Sequence, residues 1–165
     1  MDRMKIRKYY LIVVVVFFIG ACLLSLTGAR KMQTVKLFLK DRHTGNLVIQ
    51  RYPIPKTSSL NEEIFWILKE LISGPNSIRF DRIFDPNIEV KKIIVKKNIV
   101  YISFDWSVIE SLYDNPSLAI RSIVNSILFN IRELEEVKIL IEGIEPVSTF
   151  CNISLQNGFK YGGNI

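Results

Sequence analysis

The sequence is short of the residues that most often carry catalysis or covalent cross-links. Its 165 residues include two cysteines and one histidine. Cys22 falls in an apolar leader, which leaves Cys151 alone in the rest of the chain and excludes a disulfide framework there. Cys151 is expected to be a small buried hydrophobe. His43, the candidate base of a Ser-His-Asp or Cys-His arrangement, falls in a predicted turn and is expected to be solvated.

The common catalytic and cofactor motifs are also missing. The sequence contains no HExxH, CxxC or GxGxxG motif, and no GxxxxGK followed by Ser or Thr. The sequence therefore lacks the motifs that are typical of zinc-dependent hydrolysis, of thiol exchange and of phosphate binding by a glycine-rich loop. We expect no catalytic residue, no metal site and no cofactor.

A surplus of positive charge is missing once the leader is set aside. The chain has 22 basic and 16 acidic residues, but residues 1–33 contain six of the bases and one of the acids, which leaves 16 against 15. Nucleic-acid binding depends on cations that neutralise a row of phosphates. The sequence therefore argues against a nucleic-acid partner.

An uncharged run, YYLIVVVVFFIGACLLSLTG, occupies residues 9–28. It fits a secretory signal, whose apolar part is about 7–15 residues long, and it also reaches the roughly 20 residues of a membrane-spanning helix. A third reading is that IGAC resembles a lipobox with Cys22 as the lipidated residue. Under each reading, the bases that precede the run place residues 34–165 outside the cytoplasm. The helix and lipobox readings also predict that the protein is anchored to a membrane.

Beyond this anchor, residues 1–33, the pattern predicts one domain over residues 34–145 and a tail over 146–165. TVKLFLKD and NLVIQRYPIP alternate with period two around a turn, which predicts a hairpin that Pro53 and Pro55 end. A second hairpin is expected around the turn at Lys97 and Asn98. The tail is expected to add an edge hairpin.

Helical spacing predicts two main helices. The first follows Ser59, which forms a potential capping box with Glu62, and ends at Gly74. A short helical turn follows Ser107, and the second main helix follows Asn115. With the last strand, EVKILIEG, the element order predicts an α+β two-layer sandwich, in which a mixed sheet of about five strands carries both main helices on one face.

The order and spacing of five segments resemble the GerMN domain, a sporulation and spore-germination module of bacterial envelope proteins. The segments are VKLFLKD, LVIQRYPIP, ILKELISGP, KKIIVKKNIVYISFD and IRSIVNSILFNIRELEEVKILIEG. The resemblance covers roughly residues 34–145. It implies an exported, membrane-anchored protein of envelope or spore assembly, and it offers no catalytic residue to transfer.

Both main helices place an aromatic residue opposite the predicted core stripe. At about 100° per residue, Trp66 falls about 200° from Ile64. Phe129 falls about 180° from Ile120, with Leu118 beside it. Since large exposed aromatics are enriched at interface hot spots, Trp66, Phe129 and Leu118 are candidates for a protein-binding or self-association face. The alternatives are that the tail covers these helices, or that the true helix phases differ from those assumed from the sequence.

Two other sets of residues indicate alternative functions, namely binding of anionic lipid or wall polymer and catalysis on cell-wall polymer. A basic cluster could bind an anionic surface, although lysines on an edge strand also block edge pairing; it comprises Lys91, Lys92, Lys96 and Lys97. A wall-polymer enzyme would need paired carboxylates in a cleft; the candidates are Asp105, Glu142 and Glu145. Asp105 is explained more simply as a cap of the next helical turn.

Overall fold

A computed structural model describes residues 11, 13–18, 31–146, 149–150 and 153–163. The chain folds as two compact units, Met1–Lys31 and Met32–Ile165. Residues 13–18 of the first unit are helical, and no helix in the described ranges is long and apolar enough to cross a membrane. The lipidation candidate Cys22 lies outside the described residues, as does Cys151.

The first predicted hairpin is confirmed. Strands β1 (Met32–Asp41) and β2 (Leu47–Pro55) pair antiparallel around a turn. β2 ends at Pro55 as predicted, whereas Pro53 lies within the strand. Proline is tolerated there because β2 is the edge strand of its sheet and need not donate to a further neighbour. A short strand that the sequence did not predict, β3 (Phe80–Asp81), pairs with the last residues of β1 on its other side.

Helix α1 (Leu60–Ser73) begins and ends at the predicted residues. Ser59 is its N-cap but makes no side-chain capping bond, so the capping box with Glu62 is not formed. Gly74 ends the helix with φ 84°, a conformation that favours glycine. The predicted apolar stripe also includes Leu60, which is half-buried. Its other members are buried; they are Ile64, Ile67, Leu68, Leu71 and Ile72.

The second predicted hairpin is confirmed as β4 (Val90–Lys96) and β5 (Ile99–Phe104). Two helices follow, α2 (Val108–Asp114) and α3 (Pro116–Asn130). They form the crossover to β6 (Glu136–Ile141), which pairs parallel to β5.

Asn115 caps α3 as predicted, since its side-chain Oδ1 accepts a hydrogen bond from the Leu118 amide at 3.1 Å. The turn after Ser107 is helical as expected. The sequence also predicts a capping box between Ser107 and Glu110. The Ser107 hydroxyl, however, donates to Asp105 and not to its own helix, so this capping box is not formed.

The α+β class is confirmed, but the strands form two three-stranded sheets where the sequence predicted one mixed sheet of about five. Their orders are β2-β1-β3 and β4-β5-β6. β1 pairs with β3 over only two residues, because polar side chains of α3 bind further along that edge. Helix α1 contacts strands of both sheets and α3 contacts β1 and β6, so that one hydrophobic core is shared.

The C-terminal tail contains a hairpin, but the hairpin forms a separate two-stranded sheet and is not at the edge of either larger sheet as the sequence predicted. It consists of β7 (Thr149–Phe150) and β8 (Ile153–Ser154). Leu155 and Phe159 are buried in the shared core. Phe159 and Val137 exchange two backbone hydrogen bonds, of 2.8 and 2.9 Å, so the tail also extends the second sheet beyond β6.

Candidate functional site

Helix α3 closes the open edge of β1 with polar side chains. The Phe38 amide donates to Ser126 Oγ at 2.9 Å, and the Ser122 hydroxyl donates to the Phe38 carbonyl at 2.6 Å. Asn130 does the same for Lys36, accepting from its amide at 2.9 Å and donating to its carbonyl at 2.7 Å. Because buried backbone groups must be paired, these side chains stand where a neighbouring strand would otherwise be.

The predicted apolar stripe of α3 is buried, but the opposite side of the helix is buried as well. The helical phase predicts that Ser122, Asn125 and Ser126 face solvent, yet all three are buried. Ser122 and Ser126 satisfy the β1 backbone, and Asn125 accepts from the Gly162 amide of the tail at 3.4 Å. Phe129, on the same side of the helix, is half-buried, and the alternative that the tail covers this helix is confirmed.

Three aromatic rings from separate parts of the chain pack together at this place. The ring centroid of Phe129 lies 5.7 Å from that of Phe38 in β1 and 5.9 Å from that of Tyr161 in the tail. Phe38 and Tyr161 are 6.2 Å apart. Lys36 Nζ lies 4.7 Å from the centroid of Phe129, within cation–π range. Tyr161 remains 51% exposed, so this cluster presents a fixed aromatic surface to solvent.

A groove of about 540 Å³ opens beside this cluster, where α3 ends and the tail passes. We call it the aromatic groove; it is lined by Leu128, Phe129, Arg132, Leu134, Glu135, Lys160 and Tyr161. Apolar and aromatic walls with a few polar groups are typical of binding sites.

The charged groups of the aromatic groove are mostly basic. Arg132 and Lys160 line it, and Lys36 lies beside Phe129. Within the described part of the chain, none of these three forms an ion pair. Glu135, the acid in the lining, accepts a hydrogen bond from Asn98 Nδ2 at 3.0 Å. The groove therefore carries an excess of positive charge in a domain whose charges are otherwise balanced.

The other two interface candidates do not line the aromatic groove. Trp66 is half-buried and packs against the hydrophobic core, with Lys69 Nζ 4.6 Å from its ring centroid. The expectation that Trp66 points away from the core is therefore wrong, because its large ring reaches the core margin from the side of α1. Leu118 lines a separate, polar groove of about 470 Å³ with Arg121 and the turn between β1 and β2.

The basic cluster lies on the edge strand β4 and the turn after it, and all four lysines are exposed. Lys91 pairs with Glu142 at 3.2 Å, and Ile94 between the lysines is 42% exposed. Lysines on an edge strand discourage pairing with another chain, which accounts for their position. Binding of an anionic surface by Lys91, Lys92, Lys96 and Lys97 stays a prediction.

The three candidate carboxylates each have a partner of their own. Glu142 pairs with Lys91, and Glu145 pairs with Lys138 at 3.3 Å. Asp105 Oδ1 accepts from the Glu89 amide at 2.9 Å and from the Ser107 hydroxyl at 2.7 Å. These contacts are structural, because they fix loop backbone and neutralise charge.

Asp105 is also poorly suited to donate a proton. Burial acts to raise the pKa of its carboxyl, but the hydrogen bonds from Glu89 and Ser107 outweigh burial and hold the pKa below its usual value. A general acid at neutral pH needs the opposite shift. Among the described residues, no group of three or more His, Cys, Asp and Glu side chains is placed to hold a metal ion.

A buried carboxylate that the sequence did not single out joins β1 to the loop before β3. Asp41 is 4% exposed and accepts from Arg79 Nε at 3.0 Å and from the His43 and Thr44 amides at 3.0 and 3.1 Å. The hydrogen bond from Arg79 contributes most to lowering the pKa of Asp41 to about 2. His43 itself is exposed in this turn, as expected.

Phe129 can be identified from the sequence, but most of its groove cannot. Arg132 and Lys160 belong to loops without periodicity, and Tyr161 belongs to a tail whose path depends on tertiary contacts. The segment GFKYGG carried a signal, because it places two aromatics two residues apart, as on one side of a strand. Trp106, which is 65% exposed just after β5, and Phe65, which is 40% exposed on α1, are further exposed aromatics outside the sequence candidates.

The fold and this groove define a small α+β domain with a binding surface built from a helix end and a tail. The family model described as "Sporulation and spore germination" matches residues 36–147, more than half of the chain. The chain belongs to this family, which confirms the resemblance to the GerMN domain. Among curated proteins, no significant match is found.

Solved structures of the same family share the fold. The first GerMN domain of the sporulation protein GerM from Bacillus subtilis is 20% identical, with a TM-score of 0.56 over 69% of this chain and 86% of that one. The tandem GerMN domains of the same protein are 16% identical, with a TM-score of 0.59 over 81% of this chain. This chain spans 46% of that tandem structure.

A candidate lipoprotein from Clostridium perfringens is also similar. Its crystal structure is 15% identical, with a TM-score of 0.54 over 80% of this chain and 88% of that one. At these identities, the three likenesses establish the fold alone.

Proposed function

We propose that residues 32–163 form a non-catalytic binding module, held at the outer surface of a bacterial membrane, that joins an envelope assembly through the aromatic groove. The exported location is supported by the basic segment before the apolar leader. The similarity to a candidate lipoprotein and to a sporulation protein agrees with an anchored envelope protein. Catalysis is not part of the proposal, because the candidate carboxylates are each bound to structural partners.

The observation that carries the proposal is the half-exposed ring of Tyr161, held in place by two other rings. Tyrosine is among the residues that dominate binding energies at interfaces. A ring that is already fixed by Phe38 and Phe129 loses little conformational freedom when a partner covers it. The groove beside it supplies an apolar pocket, and Arg132 and Lys160 supply a polar rim.

The test is affinity purification of the full-length protein, solubilised in detergent from its own membranes, with Tyr161→Ser beside the wild type. Trp106→Ser is the matched control, because Trp106 is an equally accessible aromatic that does not line the groove. We expect the same envelope protein to co-purify with the wild type and with Trp106→Ser, and to be lost from Tyr161→Ser.

Circular dichroism and the unfolding midpoint establish whether each variant is folded. A partner that folded Tyr161→Ser retains would refute the groove as the binding surface. If the wild type yields only further copies of this chain, light scattering of the same variants decides whether the groove mediates self-association.

A further inference from the structure

The charge around the aromatic groove points to the chemistry of its partner, an inference that rests on the function proposed above. We propose that the groove receives an acidic peptide segment of another envelope protein, in which an apolar side chain is flanked by Asp or Glu. The apolar side chain enters the groove, and the flanking carboxylates meet the basic rim.

The groove has a wall for the apolar side chain. Leu134 and Leu128 are almost fully buried at 5% and 7% exposure, so they form a firm base, while the rings of Phe129 and Tyr161 form the side. Burying an apolar side chain against such a wall is favourable in proportion to the area removed from water. Pockets of this size typically combine a buried apolar anchor with a few polar contacts.

The rim has cations that no other part of the described chain neutralises. Arg132, Lys160 and Lys36 form no ion pair within the described residues, which is also true of Lys92 and Lys96 on β4. Arg132 and Lys160 differ from those two lysines because they line an apolar groove. Arginine can bind a carboxylate through two parallel hydrogen bonds, which adds specificity to the charge attraction. Complementary charge across an interface selects partners and speeds their encounter.

A peptide fits these groups better than a polyanionic polymer. Glu135 lies among the cations of the lining and would repel closely spaced phosphates. A peptide can place a backbone amide donor against Glu135 and its carboxylates against Arg132 and Lys160. A phosphate-rich polymer would also leave the apolar wall uncovered.

The test is selection from a random library of displayed 12-residue peptides on the full-length protein in nanodiscs of neutral lipid. We expect the enriched peptides to share an apolar residue flanked by acids. In fluorescence polarisation, the double variant Arg132→Gln with Lys160→Gln is expected to bind the enriched peptides roughly tenfold more weakly. This is the loss expected when two rim charges that contact partly desolvated carboxylates are removed. Lys92→Gln with Lys96→Gln removes the same charge from the edge strand and is expected to leave binding unchanged.

The possible outcomes separate this inference from the proposed function. Enriched peptides that lack acids but are lost with Tyr161→Ser would overturn the acidic partner and leave the groove as the binding surface. Peptides that bind folded Tyr161→Ser as well as the wild type would overturn both. If no peptide is enriched and vesicles containing phosphatidylglycerol bind in a manner that depends on Arg132 and Lys160, the ligand is anionic lipid and the peptide proposal fails.

Discussion

The polar side chains of α3 that bind β1 allow a prediction in which helix propensity and hydrogen bonding have opposite effects on the stability of the fold. The perturbation is the double substitution Ser122→Ala with Ser126→Ala. Both serines are 0% exposed, and together they bind the amide and the carbonyl of Phe38. Alanine keeps nearly the same volume, so the change removes two hydrogen bonds and little else.

The expected loss of stability follows from the cost of each unpaired group. Leaving a buried donor or acceptor without its partner costs about 1–3 kcal/mol, so two such groups cost about 2–6 kcal/mol. Alanine is the better helix former, which returns up to about 0.7 kcal/mol per site. The net destabilisation is then about 1–5 kcal/mol, and for a domain of this size the melting temperature should fall on the order of 10 °C.

The assay is urea denaturation of the full-length protein in detergent, followed by far-ultraviolet circular dichroism. Ser117→Ala is the matched control, because Ser117 lies on the same helix but gives β1 no hydrogen bond within the described residues. Helix propensity alone would make both the double variant and the control slightly more stable. If the double variant is as stable as the wild type, the proposed pairing of α3 with the β1 edge is refuted.

Three further predictions concern the first hairpin, the end of α1 and the anchor. Asp41 has a pKa of about 2 in the folded protein, below its value of about 3.9 in the unfolded chain. The ionised carboxylate therefore stabilises the fold fully above about pH 3.9, and this stabilisation is lost as the pH falls toward 2. Asp41→Asn should flatten this part of the pH profile of unfolding, and an unchanged slope would contradict the Arg79 contact. Gly74→Ala should destabilise by about 1–3 kcal/mol, because φ is 84°, a conformation that strains a residue with a Cβ; equal denaturation midpoints would contradict this strain. Intact mass should show loss of residues 1–21 with added acyl mass if Cys22 is lipidated, whereas an uncut chain would indicate a membrane-spanning helix.

Most of the fold could be predicted because its helices and strands are determined by short local sequence patterns. The period-two runs of β1 and β5, the apolar stripe of α1 and the Asn115 cap of α3 are each set by a few neighbouring residues. The order of these elements was sufficient to identify the family.

The candidate site could not be predicted in the same way, because it depends on contacts between distant residues. A helical wheel places Ser122 and Ser126 on the solvent face of the helix. In the structure they form hydrogen bonds with the backbone of β1, which lies more than 80 residues earlier in the chain. Tyr161 reaches Phe129 only because Phe159 pairs with β6. The same long-range contacts explain the division into two sheets, since they take up the edge of β1 where a single sheet would continue.

The central claim, that the aromatic groove is the surface that joins this protein to its assembly, is tested most directly by photo-crosslinking in intact cells. A photoreactive phenylalanine analogue replaces Tyr161 in one strain and Trp106 in another, and crosslinked products are identified by mass spectrometry. We expect a specific protein crosslinked from position 161 and not from position 106. Crosslinks from position 106 alone, or from position 161 only to residues of the same molecule, would contradict the account.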